Sequence, residues 1–200
     1  VRMDPDIALG PLSDKKPRFL FELDHQSNSP AEHARRVGSL FEGIPTSRTI
    51  VTVKFNDRDK DGRFSGVCVV YRKDADDRVH VARAFQVGTA NYDIQKTSRI
   101  FQKTKIREAW DANNFVLDAA VDDGSKDSFL LEASPLTSLF LLNQNRLPRQ
   151  CPDAFRSYYL VEVLQDDIFH GDLAYARPPS PRHLILDLYP VMVNIDTWVA

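Results

Sequence analysis

The chain has 200 residues, 42% of them hydrophobic and 27% charged, with a formal net charge of −2. That length suffices for one domain with a substantial core, and the charge balance lacks the basic surplus by which a protein gripping a phosphate backbone gains affinity. No apolar run approaches the ~20 residues a membrane span needs, and Val1-Arg2-Met3-Asp4-Pro5-Asp6 lacks the basic and apolar regions of a signal peptide.

An intracellular location, cytoplasmic or nuclear, is the expectation. The chain does not begin with Met, which fits a fragment or an excised domain. Its two cysteines, Cys68 and Cys151, form no metal or disulfide pattern, and Cys68 lies within an apolar strand as a small core residue.

Residues 1–17 are polar, carry Pro and Gly, and read as loose. Phe19 to Leu23 reads as a short strand. Ser29-Pro30-Ala31-Glu32 is a helix start, with Ser29 as cap, Pro30 at the first helical position and Glu32 able to complete a capping box. That helix is expected to run to about Phe41 and stop at Gly43. Thr49 to Phe55 is β-branched and aromatic, hence a strand, with Val51, Val53, Phe55 and Asp57 on one face. Phe64 to Tyr71 and Val79 to Val87 are two more strands. The short polar links, Asn56 to Arg63 and Lys73 to Arg78, make the three an antiparallel meander.

Asp93 to Val121 is helical in character. Phe101, Thr104, Glu108, Ala112, Phe115 and Ala119 recur every three or four residues and form one stripe, which only Glu108 interrupts with a charge. Lys96, Arg99, Lys103, Lys105 and Arg107 crowd the same stretch. A solvated helix face explains them; a nucleic-acid-binding patch made of Lys96, Arg99, Lys103 and Arg107 is the alternative. Ser128 to Glu132 reads as a strand buried on both faces, central in a sheet, and Ser134-Pro135 opens a second helix to about Asn143. Tyr158 to Leu164 leans to strand. Ala176 to Pro181 is a stiff connector, and Leu184 to Leu188 and Val191 to Val199 read as further strands.

This order resembles type 1 ribonuclease H domains, especially retrotransposon-like ones. The residues that carry the resemblance are short. Residues 52–71 look like the family's first hairpin. Ile106-Arg107-Glu108-Ala109-Trp110-Asp111-Ala112 is similar to its Ala-Glu-Leu-x-Ala helix. Phe129 to Leu136 is similar to a strand-to-helix corner that usually carries Thr-Asp-Ser, and Phe169-His170-Gly171-Asp172-Leu173-Ala174 to its last acidic motif. The resemblance implies an α/β fold, a mixed sheet with helices packed against it. It gives an N-terminal arm over 1–46, a ribonuclease H-like core over 47–176, and a Pro-rich connector with C-terminal strands over 177–200.

Ribonuclease H chemistry needs convergent carboxylates, because two hard Mg²⁺ ions must sit about 4 Å apart to activate water and steady the leaving oxygen. The resemblance offers Asn56 or Asp57 for the first acid, Glu108 for the second and Asp172 for the fourth. Ala133 falls where the third belongs and cannot bind metal; Glu132 faces the other side of its strand. With the set degenerate, no cofactor is expected. The expectation is a non-catalytic ribonuclease H-like module that binds a protein or a nucleic acid. One alternative is a Mg²⁺-dependent nuclease with displaced acids, Asp57, Glu108 and Asp172 being catalytic and Asp57 and Glu108 metal-binding. The other is an interaction domain without any nucleic-acid role.

Asp57-Arg58-Asp59-Lys60-Asp61-Gly62 spells half of a calcium loop. Cys68 occupies the position of the required bidentate Glu, and strands flank it, so a charged hairpin turn is expected. The histidines, His25, His33, His80, His170 and His183, are dispersed without metal-ligand spacing. Trp110 and Trp198 read as packing residues, and Trp198 is expected in a C-terminal strand.

Overall fold

The computed structural model describes residues 5–11, 16–25, 30–73, 76–89, 147–164, 168 and 183–198. Their elements are β1 (Ile7–Leu9), β2 (Phe19–His25), α1 (Pro30–Gly43), β3 (Thr49–Phe55), β4 (Ser65–Lys73), β5 (Val79–Gly88), a 3-10 helix (Asp153–Tyr159), β6 (Leu160–Leu164), β7 (His183–Asp187) and α2 (Tyr189–Trp198). The fold is α/β. A five-stranded mixed sheet runs in the order β1-β2-β3-β4-β5, and β6 and β7 form a separate antiparallel pair. The expected elements over 93–121, 128–132, 136–143 and 176–181 lie outside the described residues.

The meander β3-β4-β5 forms as its polar links require, with Val53 opposite Cys68 and Cys68 opposite Phe85. The novelty is on the other side of β3. There β2 lies parallel to it over its whole length, Phe19 beside Thr49 and His25 beside Phe55. Parallel neighbours need a crossover, and α1 supplies it. The segment expected as an N-terminal arm therefore provides an interior strand and the helix above it. Even Ile7–Leu9, read from sequence as loose, pairs antiparallel with β2 at the sheet edge. Strands β2, β3 and β4 have both sides paired, so this sheet can grow only beyond β1 or β5.

Period-two alternation sorts each strand onto two faces. On one face Leu20, Ile50, Val67, Val69 and Tyr71 meet Val37, Leu40 and Phe41 of α1. On the other, Phe21, Val51, Val53, Cys68, Val70, Phe85 and Val87 meet Tyr159, Val161, Val163, Leu188, Met192 and Ile195. Fully burying one such side chain contributes about 1.5–3 kcal/mol. Every residue of β3 is buried, as befits a strand covered on both faces. Between Val70 and Tyr71 the ladder with β5 slips by one residue, leaving Ala82 unpaired. This bulge reverses the phase of β5, so Val81 faces α1 while Arg83 faces the β6 layer.

Arg83 uses that direction. Its guanidinium donates to the carbonyl oxygens of Leu160 and Tyr158, each at 3.0 Å, and stacks 4.3 Å from the Phe85 ring centroid. Arg72 donates to the Glu162 carbonyl. Together they cap the edge of β6 that β7 does not pair. An aromatic chain, Phe85–Tyr158–Tyr159–Tyr189, continues the contact with centroid spacings of 5.3, 5.1 and 5.2 Å.

The C-terminal expectation of two strands is half right. His183–Asp187 is a strand, but the second is the helix α2. Val191, Val193 and Ile195 alternate as in a strand, a pattern too short to separate the two states. Local chemistry and packing chose the helix. The Asp187 carboxylate accepts the Tyr189 N–H at 3.0 Å, Pro190 sits in the first turn, and Leu188, Met192 and Ile195 share one buried side. Trp198 accordingly ends a helix.

Gly88 ends β5 at φ +103°, and a Cβ there would stand 2.5 Å from the Phe64 carbonyl oxygen. Gly88→Ala is expected to destabilise the fold by about 1–3 kcal/mol, read as a lower urea midpoint at unchanged slope.

Candidate functional site

Asp57 stands just beyond β3. Its side chain is 64% exposed and 3.4 Å from His25 Nε2, whose ring stacks on Phe55 at 4.8 Å between centroids. Glu108 and Asp172, the other acids of the expected catalytic set, lie outside the described residues, as do Ala133, Glu132 and the basic residues Lys96, Arg99, Lys103, Lys105 and Arg107. Among the described residues no group of three or more His, Cys, Asp or Glu side chains has the arrangement to hold a metal ion.

The half-calcium-loop motif forms a self-satisfied turn. Asp59 Oδ1 accepts the N–H groups of Asp61 and Arg63, each at 2.9 Å, and the Arg63 guanidinium reaches both Asp59 and Asp61. Burial pushes the Asp59 carboxyl up, but those backbone N–H groups and Arg63 together outweigh it and hold the carboxyl below the usual value. Gly62 takes φ +74° to close the turn. Arg58 bridges the loop and α2: its guanidinium donates to the Gly62 carbonyl oxygen and, at 2.8 Å, to the carboxylate of buried Asp196, which also accepts the Leu147 N–H at 2.8 Å. The charged loop thus clamps the C-terminal helix to the sheet.

The densest chemistry lies beneath the first half of α1. Glu22 and Asp24 of β2 and Thr52 and Lys54 of β3 point to the α1 face near the carboxyl ends of the two parallel strands, and all four are buried. Buried polar groups need partners, and α1 provides them. His33, only 1% exposed, places Nδ1 3.0 Å from Asp24 Oδ2 and Nε2 3.0 Å from Thr52 Oγ1. Lys54 Nζ donates to the same Asp24 oxygen at 3.3 Å. Arg36 pairs with Glu22 Oε1, while Glu22 Oε2 has no hydrogen-bond partner.

The two acids on one strand, two residues apart, respond oppositely. Burial pushes the Asp24 carboxyl up, but the His33 hydrogen bond and the Lys54 charge outweigh it and hold Asp24 below the usual value of 3.8. Burial also pushes Glu22 up; the Arg36 charge opposes it without cancelling, and nearby Asp6 adds to the rise, so Glu22 stays above its usual value of 4.5. The difference is partner count. Asp24 has two partners on one oxygen, His33 and the charged Lys54, whereas the paired oxygen of Glu22 has Arg36, whose side chain is 37% exposed.

Asp24, His33 and Thr52 are ordered as acid, base and hydroxyl, the relay of a hydrolase. Reach decides against that chemistry. Thr52 has no exposed surface, and its hydroxyl also lies 3.4 Å from the Val69 carbonyl oxygen within the sheet. A substrate carbonyl has no path to it past α1. The arrangement is an architectural charge cluster, and the sequence reading missed it. The signal was the period-two placement of Glu22 with Asp24, and of Thr52 with Lys54. Ending the first strand at Leu23 hid it, and nothing local ties either pair to His33.

No protein-family model matches this chain, and no curated protein and no solved structure matches it.

Opposite shifts give opposite pH limbs. The folded pKa of Asp24 is depressed, so its contribution is present above pH 3.8 and lost as pH falls through the folded value. The folded pKa of Glu22 is raised, so stability declines as pH rises from 4.5 through the folded value. Asp24→Asn is expected to cost about 3 kcal/mol at pH 7, because it leaves Lys54 buried without its counter-charge, and to flatten the acid limb. Glu22→Gln is expected to change stability at pH 7 by under about 1 kcal/mol, toward stabilisation, and to erase the decline above pH 4.5. Urea titrations from pH 3 to 8 check both.

Proposed function

We propose that this chain is a non-catalytic ribonuclease H-like module that binds a protein partner. The sheet supports the kinship. An antiparallel meander of three strands is flanked, beside its first strand, by a parallel neighbour, within five strands of mixed direction. It departs in connection, since that neighbour comes from before the meander, through α1, where the resemblance expects a strand after the long helical segment.

One observation carries the non-catalytic reading. Each buried carboxylate among the described residues already has a cation from the chain itself: Asp24 has Lys54, Glu22 has Arg36, and Asp196 has Arg58. A two-metal nuclease needs carboxylates whose charge is left for metal. Here those charges hold elements together.

The protein partner is supported by charge and by surface. A net charge of −2 does little for phosphate binding. On β7, Leu184 is 47% and Ile185 58% exposed, while Arg72 and Arg83 cap the far edge of its partner β6. Apolar side chains on an edge strand suit a partner that meets a sheet edge.

The test combines three measurements on the full chain. An RNA–DNA hybrid with Mg²⁺ is expected to remain intact, Mg²⁺ is expected to leave the melting temperature unchanged, and polynucleotide is expected to show no salt-dependent binding. Cleavage abolished by Glu108→Gln would instead establish the nuclease. Salt-dependent polynucleotide binding weakened by Lys103→Ala would establish a nucleic-acid partner.

A further inference from the structure

α1 is attached to the sheet by two unlike kinds of contact. Its second half is held by apolar packing, with Val37, Leu40 and Phe41 against Leu20, Ile50, Val69 and Tyr71. Its first half rests on the buried polar surface of β2 and β3 through His33 and Arg36. These attachments respond to different variables. Apolar burial is indifferent to protonation, whereas the polar half depends on the negative charge of Asp24.

The groups facing Asp24 define what happens when that charge is lost. From α1 they are His33 and, further along, Arg36; from β3, Lys54; from β2 itself, Glu22 two residues back; and Asp6, beside β1, bears on Glu22. Among the described residues these are two acids and three basic groups around the buried surface, with Asp6 outside it. Protonating Asp24 leaves the Lys54 ammonium and the His33 imidazole under α1 with no anion between them. The second acid cannot take over, since its one paired oxygen faces Arg36 and burial keeps it prone to protonation. A buried cation without a counter-charge is costly, and the nearest relief is hydration. Water reaches the cluster if the first turns of α1 lift while its apolar second half stays seated.

We propose that the first half of α1 is an acid-released latch, held shut by Asp24 through His33 and Lys54 and hinged on the apolar contacts of Val37, Leu40 and Phe41. Opening is local: it uncovers the polar ends of β2 and β3 without dissolving the five-stranded sheet.

Hydrogen–deuterium exchange on the full chain, corrected for the intrinsic pH dependence of exchange, separates this from ordinary acid unfolding. Between pH 7 and pH 3, amides of residues 34–37 are expected to lose protection by about 10- to 100-fold, while residues 40–43 and strand β3 keep theirs. At pH 7, Asp24→Asn is expected to reproduce that pattern. Should the single variant unfold the whole chain, the double variant Asp24→Asn/Lys54→Met decides, since removing the stranded cation is expected to return protection to residues 34–37. Loss of protection in residues 34–37 and β3 together in the wild type overturns the latch. So does unchanged protection at pH 3, or a double variant no better protected than the single one. None of these outcomes depends on whether the chain binds a partner.

Discussion

Seven residues of β2 lie parallel to seven residues of β3, and this pairing organises the described structure. Adjacent parallel strands need a crossover, so a helix must travel back across one face. The helix that does so carries an apolar stripe in its second half and basic side chains in its first. The sheet beneath it is divided the same way, apolar at Leu20 and Ile50, charged at Glu22, Asp24 and Lys54. Register and crossover together bring charge under charge. A slip of one residue would turn Glu22 and Asp24 into the opposite core, beside Val51 and Val53 and away from His33, Arg36 and Lys54.

Buried ion pairs contribute less to stability than their number suggests, because desolvation offsets most of the attraction. The cluster under α1 is better understood as a device of specificity. It penalises any other seating of the helix, since each alternative strands at least one charge. Glu22 shows how fine the balance is: with a single cationic partner and an unsatisfied second oxygen, it gains less from ionising than Asp24 does two residues on. Arg58 and Asp196 apply the same logic over a longer span, joining the β3–β4 loop to the C-terminal helix. The motif that spelled half a calcium site thereby turns out to hold two parts of the molecule together.

The opposite face of the sheet is organised by packing and by arginine. A one-residue bulge at Ala82 directs Arg83 toward β6, where it and Arg72 satisfy carbonyls that β7 leaves unpaired. Without the bulge, Arg83 would point under α1 among apolar residues. Such a cation would stand uncompensated in the helix-covered core. The irregularity in the ladder is therefore what makes the two-layered attachment of β6 and α2 compatible with the sequence of β5.

How much of this was legible beforehand follows from the range of the forces involved. The meander β3-β4-β5, the start of α1 at Pro30 and its stop near Gly43 follow from contacts among near neighbours: β-branched alternation, tight polar turns and a proline at a helix start. The sequence by itself also determined which residues of β3 share a face, whereas the bulge at Ala82 broke that alternation in β5. It could not determine that Phe19–His25 would be an interior strand beside Thr49–Phe55, nor that the alternating Val191, Val193 and Ile195 would coil into a helix, because both outcomes are decided by surfaces far away in the chain. The charge cluster lies wholly in that second category. Asp24, His33, Thr52 and Lys54 are ordinary residues at unrelated positions until a parallel register and a crossing helix bring them within hydrogen-bonding distance, and only tertiary structure sets both.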